Sequence, residues 1–328
     1  MSPRARILVI VGAAAALAVG TTVALAVITA NDEGGGRQKA TPLEGSPPLV
    51  LDLGVRIDPE ARALRKAEGL LKKRPAAAGQ IFARYESPAA QIGVAIAAWP
   101  DDSLSKIERL AQEHPNDALV QLHLGYAKLW SGDGSGASDA WRKAATAQPD
   151  TPSAQRADDA LHPGFPPGEP LFVPSFSPPS AINRMAPPQQ FAFLRRRAAS
   201  GDTRAKLLYG LALQRLGRRL SARGQYDAAA RAAPRDPEAQ VAAAVARFDK
   251  SRPAAAFSRL GPLTRRFPRA ATVRFHLGLL LLWLSRSQPG SCAQAKRQLR
   301  LARADDPHSS LAREADKLLS SLENVRTC

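Results

Sequence analysis

The chain has 328 residues, 45% of them hydrophobic, which excludes a wholly disordered polymer and supplies apolar material for one extended repeat array or two compact domains. Aromatic residues make up only 5% while Ala and Arg are abundant, a balance that argues against a sandwich or barrel and for helices packed through small side chains. The formal net charge of +17 favours anionic partners, yet the basic residues are scattered over many helix positions without an aromatic platform, so nucleic acid is not the expected partner.

After Arg4 and Arg6, residues 7–30 contain no charge and are rich in Ala, Val, Leu and Ile. At about 1.5 Å per residue they span a hydrocarbon core of about 30 Å, and the positive-inside tendency keeps the two arginines in the cytoplasm. Residues 1–30 therefore read as a cytoplasmic tip and a transmembrane signal anchor, single-pass in the cytoplasmic membrane, with the body extracytoplasmic. Ala24-Leu25-Ala26 keeps open the alternative of a body secreted after signal cleavage. Residues 31–57, with Gly34-Gly35-Gly36 and Pro47-Pro48, read as a flexible tether.

Beyond residue 58 the prolines set a beat: Pro115 and Pro149 stand 34 residues apart, as do Pro234 and Pro268. Between such prolines lie two helices of apolar period, each expected to stop at proline, which lacks the amide donor and clashes with the preceding turn. The clearest unit, 118–151, carries Leu119, Leu122, Tyr126 and Leu129, a Gly-rich turn at Gly132 to Gly136 and a second helix to about Gln148. Tyr209-Gly210, Leu213, Ala222, Tyr226, Ala229 and Pro234 repeat the pattern, and Ala244, Ala256, Leu260 and Leu263 copy it less closely. The last unit sets Val273-Arg274-Phe275-His276-Leu277-Gly278 against Val120-Gln121-Leu122-His123-Leu124-Gly125, then Ala295, Leu299, Ala302 and Pro307. Its five extra residues fall near Arg286 to Gly290, a turn that tolerates them, and a final helix from His308 to Leu322 should cap the array.

Leu124-Gly125, Ala137, Trp141, Ala144 and Pro149 give the chain its resemblance to the tetratricopeptide repeat family, in its membrane-anchored, exported bacterial form. The resemblance implies an all-α fold: a solenoid of antiparallel helix pairs preceded by a transmembrane helix, with arrays at 58–160 and 189–328 around a Pro-rich insert at 161–188. It also implies that the first helix of each unit lines a concave groove. The matching positions are Leu122, Tyr126, Leu129, Trp130, Leu207, Leu211, Val241, Val245, Phe275, Leu279, Leu282 and Trp283. They are mostly apolar. The Asn and Lys by which some relatives grip a peptide carboxylate are replaced by His123, Leu208, Ala242 and His276.

The insert holds Phe165, Leu171, Phe172, Val173 and Phe176, more apolar residues than a solvated linker needs. Two arrangements follow: the insert fills the groove as a built-in ligand, or the groove stays open for a segment of another protein.

No motif for chemistry emerges. His114, His123, His162, His276 and His308 form no zinc helix, and recurrence of His123 and His276 at equivalent positions reads as repeat packing. Asp101-Asp102, Asp158-Asp159 and Asp305-Asp306 sit near helix boundaries, where Asp favours the dipole or caps amides. Lys72-Lys73-Arg74, Arg195-Arg196-Arg197 and Arg265-Arg266 read as solvated faces. Cys292 and Cys328 both fall at one end of the array, where a disulfide or two separate thiols are open. The expected function is a non-enzymatic scaffold or adaptor with a protein or peptide partner, a membrane contact through 7–30, and no cofactor, metal or small-molecule substrate. The alternative is a basic module binding anionic lipid or cell-wall polymer.

Overall fold

Proline and the residues around it set the helix boundaries. In the computed structural model, which describes residues 41–285, 288 and 290–323, His114, Gln148, Ala233 and Phe267 each end a helix and precede a proline. All four hold ψ between 61° and 71°, outside the helical range that proline's ring forbids its predecessor. Two residues past three of those prolines, Asp117, Thr151 and Asp236 accept first-turn amides of the next helix through their side chains. Stop, turn and restart are thus written within a few residues.

Fifteen α-helices result among the described residues. They are α1 (Pro59–Leu71), α2 (Pro75–Phe82), α3 (Pro88–Ala97), α4 (Ser103–Glu113), α5 (Ala118–Trp130), α6 (Gly134–Ala147), α7 (Pro152–Leu161) and α8 (Pro187–Ala199). There follow α9 (Thr203–Arg215), α10 (Arg219–Ala232), α11 (Pro237–Val245), α12 (Ala254–Arg266), α13 (Ala271–Leu284), α14 (Gly290–Asp305) and α15 (Ser310–Glu323). No strand occurs among the described residues.

Some boundaries differ from expectation. Gly134 and Gly136 belong to α6, because Asp133 accepts the Gly136 amide at 2.8 Å and starts the helix early. Pro187 and Pro188 open α8 rather than ending the insert, since the first turn needs no amide donors. Asp158 and Asp159 fall in the last turn of α7, near its boundary as expected, and α12 runs through Pro262.

The described residues form two compact units, 41–163 and 164–323. In each, every helix packs on the next through a short turn, so neighbours run antiparallel. Contacts between alternate helices link α1, α3, α5 and α7 in the first unit, and α9, α11, α13 and α15 in the second. The odd-numbered helices therefore form a shared inner row and the even-numbered ones an outer row.

Small residues set the pair spacing. A Cβ at Gly125 would run into the Trp141 indole, one at Gly210 would meet Tyr226 Cε1 at 2.5 Å, and one at Gly278 would meet Leu299 Cγ at 2.9 Å. Trp141, Tyr226 and Leu299 are themselves almost wholly buried. Glycine on one helix and a bulky residue on its partner is the interlock that the Leu-Gly pattern implied. α15 lays Leu311, Ala315, Leu318 and Leu322 over Phe275, Leu299 and Ala302, closing the last pair.

Among the described residues no helix is long and apolar enough to cross a membrane. The 7–30 stretch lies outside them.

Candidate functional site: two grooves and their straps

The twelve expected groove residues all fall on odd-numbered helices: four on α5, two each on α9 and α11, four on α13. Leu122, Leu129, Leu207, Leu211, Val241, Val245 and Phe275 are buried, and Tyr126, Trp130, Leu279, Leu282 and Trp283 are half-buried. An open groove is not what covers them. Extended segments of the same chain do.

In the second unit the strap is the Pro-rich insert. Its prolines exclude a continuous helix, and its backbone donors must find partners outside any ladder. They find side chains of the inner row. The Phe172 amide donates to Gln214 Oε1 at 3.4 Å, while Gln214 Nε2 donates back to the Pro170 carbonyl at 3.1 Å. The Val173 amide donates to His276 Nε2 at 2.9 Å and the Ser175 amide to Glu238 Oε1 at 2.9 Å. α9, α11 and α13 thus each contribute one polar side chain to read the strap backbone.

Apolar contacts complete the fit. The Phe172 ring is 1% exposed, stacks on His276 with centroids 5.3 Å apart and 17° between planes, and meets the Tyr226 ring edge-on at 5.6 Å. Burying such a side chain contributes about 1.5 to 3 kcal/mol, with aromatic geometry adding about 1. Phe165 packs edge-on against Phe248, and Arg204 lies over the Phe176 ring. Val173 shares an apolar cluster with Phe275, Leu279 and Leu282, and Phe172 shares another with Leu207, Val241, Val245 and Trp283.

The first unit repeats the arrangement with a segment expected to be a free tether. Residues 41–57 are extended: the Leu43 amide donates to the Trp130 carbonyl at 3.0 Å, and the Val50 amide to His123 Nε2 at 3.1 Å. Leu43 and Val50 pack with Leu122, Tyr126, Leu129 and Trp130, and Leu53 is buried against α1 to α3. Gly34 to Gly36 and Pro47-Pro48 suggested solvated chain; the apolar alternation of Leu49, Leu51 and Leu53 is what holds the described part down. Of the twelve groove positions, only Leu211 shares no apolar cluster with a strap residue.

His123 and His276 carry the two straps in the same way. Each donates Nδ1–H to the carbonyl four residues back, Leu119 and Thr272, at 2.7 Å, which leaves Nε2 as the acceptor for the strap amide. Both rings are fully buried, and burial pushes both pKa values down to about 4, so they stand neutral as the geometry requires. Burial also drives Glu238 above the usual carboxylate range, opposed by the Ser175 amide it accepts, and pushes the Tyr126 phenol up to about 12.

The sequence carries a signal for this pairing. Pro47-Pro48-Leu49-Val50 and Pro170-Leu171-Phe172-Val173 align with the two histidine-bound valines in register. Pro47 and Pro170, three residues before each valine, are both buried. Gln214 and Glu238 had no such signal, because a single Gln or Glu on a helix is ordinary.

Among the described residues no group of His, Cys, Asp or Glu is arranged to hold a metal ion. The three basic runs are exposed. Cys292 is buried and disulfide-bonded; Cys328, the chain's other cysteine, lies outside the described residues.

The fold and its grooves define a protein of stacked helical pairs whose inner rows each grip an extended strap. No family model matches the chain, and no curated protein does. Among solved structures it is similar to the crystal structure of yeast Tom70, at 14% identity and a TM-score of 0.31, over 80% of this chain and 47% of that one. The chain spans about half the length of that neighbour. The helical-pair architecture is read from the chain's own contacts.

Proposed function

We propose that the protein is a non-enzymatic scaffold, anchored by residues 7–30 and displayed outside the cytoplasmic membrane, whose inner rows recognise extended apolar segments of partner proteins. One observation carries the reading: two separate grooves bind two separate extended segments through the same valine amide to histidine contact. A surface that reads backbone donors with fixed side chains and seats an aromatic between them has the chemistry of peptide recognition. The occupants at hand are the chain's own straps, which hold the sites by their high effective concentration. A partner segment of the pattern Pro-x-Leu/Phe-Val takes a strap's place.

The test is binding in trans. In the full chain carrying Phe172→Ser and Val173→Pro, which remove the ring and the amide donor of the second strap, a labelled peptide of sequence 168–178 should bind saturably by fluorescence anisotropy. The additional change His276→Ala should weaken it at least about tenfold. A folded variant that ignores the peptide would refute peptide recognition by the groove. Export is tested separately, by labelling a cysteine introduced at exposed Ser251 with a membrane-impermeant reagent on intact cells; protection there would refute the extracytoplasmic placement.

A second reading, a basic module for anionic lipid or cell-wall polymer, is favoured by one feature of the second unit, an arginine-lined cavity beside α10 and α12.

A further inference from the structure

A cavity of about 450 Å³ opens between α10, α12 and the connection that precedes α12. Arg219, Arg223, Arg247, Arg252 and Arg259 line it, against the carboxylates of Glu169 and Asp249. Asp227, which pairs with Arg247 at the edge of the cavity, makes three carboxylates against five guanidinium groups, so a surplus of two positive charges remains in one concave space.

The arginines differ in how they are engaged. Arg219 donates to Glu169 at 3.1 Å, and one Arg247 nitrogen donates to both oxygens of Asp227 at 2.8 and 2.7 Å, so these two half-buried groups are fixed in place. Arg252 reaches Asp249 only at 3.6 Å. Arg223 and Arg259 have no carboxylate at ion-pair distance and no hydrogen bond among the described residues. Two planar forks, one from α10 and one from α12, therefore face the same space with their donors unspent.

Local backbone adds to the field. The first turns of α10 and α12 line the cavity, bringing the positive ends of both helix dipoles to it. Arg218 and Pro253 stand at their N-cap positions, where α5, α9 and α11 carry the carboxylates of Asp117, Asp202 and Asp236. Like charges gathered in a cleft focus its potential and raise the local concentration of a counter-ion.

We infer that this cavity is a binding site for a ligand bearing two adjacent phosphates. Guanidinium forks match phosphate oxygens in pairs, and the two unspent forks are offered from two helices to one ligand. Two linked phosphates carry at least about two negative charges at neutral pH, which meets the surplus of two. The phosphate pair belongs to a free diphosphate or to a diphosphate-bearing lipid headgroup; the recognition chemistry is shared. The site adjoins the second strap, whose Glu169 lines it, and it rests on the anionic-ligand reading, which it narrows from a charged surface to one cavity.

The experiment is calorimetric titration of the full chain with inorganic pyrophosphate, at about 0.15 M salt to screen diffuse attraction. Saturable one-site binding is expected, weakened at least about tenfold by Arg223→Gln with Arg259→Gln. It should be unchanged by Arg195→Gln with Arg196→Gln, which removes equal charge from exposed positions on α8. Unchanged thermal midpoints confirm that both doubles fold. Equal weakening by the two doubles would overturn the site while leaving binding by the general positive charge. No saturable binding of either pyrophosphate or vesicles bearing a diphosphate headgroup would overturn both. Vesicle binding that the first double alone abolishes, with none to pyrophosphate, supports the site and assigns the phosphates to a lipid.

Discussion

His123 and His276 hold the straps only while neutral. The pKa of each lies near 4, well below the ordinary 6.5, because the buried ring cannot be solvated as a cation. Protonation would also turn Nε2 into a donor facing the Val50 or Val173 amide. As pH falls the unfolded chain takes up these protons first. The histidine contribution is complete above about pH 6.5 and declines until about pH 4, by up to roughly 3 kcal/mol for each ring. Urea unfolding at about pH 7.5 and about pH 4.5 should show that loss, and His123→Gln with His276→Gln, which keeps an acceptor but does not titrate, should flatten it. An identical slope in the double variant would mean that other groups carry it. The glycines make a second test at this scale. Gly125→Ala drives a methyl into Trp141 and should cost about 1 to 3 kcal/mol, whereas Gly224→Ala, inside α10 with open space around it, should be neutral or stabilise by up to about 1. Equal effects would remove the interlock as the reason for Gly125.

At the scale of elements, helices were legible and straps were only half so. Pro115, Pro149, Pro234 and Pro268 marked helix ends because proline's restrictions are local and act whatever the chain packs against. The twelve groove residues fell on the inner row because an apolar face at helical spacing must be buried by something. What buries it was not local information. The Pro-rich insert fills the groove with Phe172 and Val173, the built-in arrangement of the two that its apolar content left open. The 31–57 segment reads as tether because its Gly and Pro outweigh the five apolar residues from Leu43 to Leu53. Phe172→Ala should destabilise the second unit by about 3 to 5 kcal/mol in denaturant titration, since the ring is enclosed by Leu207, Val241, His276 and Tyr226. A loss below about 0.5 kcal/mol would class the strap as loosely attached surface chain.

At the scale of the molecule, two units built on one plan account for the recurrence of Pro-x-Leu/Phe-Val before the helices and of His-Leu-Gly within them. Each unit keeps its own strap, held by helices of that unit. The two histidine contacts should therefore act independently. Residue-resolved amide hydrogen exchange measures this most directly. In the native chain the Val50 and Val173 amides should exchange far more slowly than exposed loop amides such as that of Ser177. His123→Ala should release only Val50, and His276→Ala only Val173. Exchange of both amides at loop rates in the native chain would contradict the account.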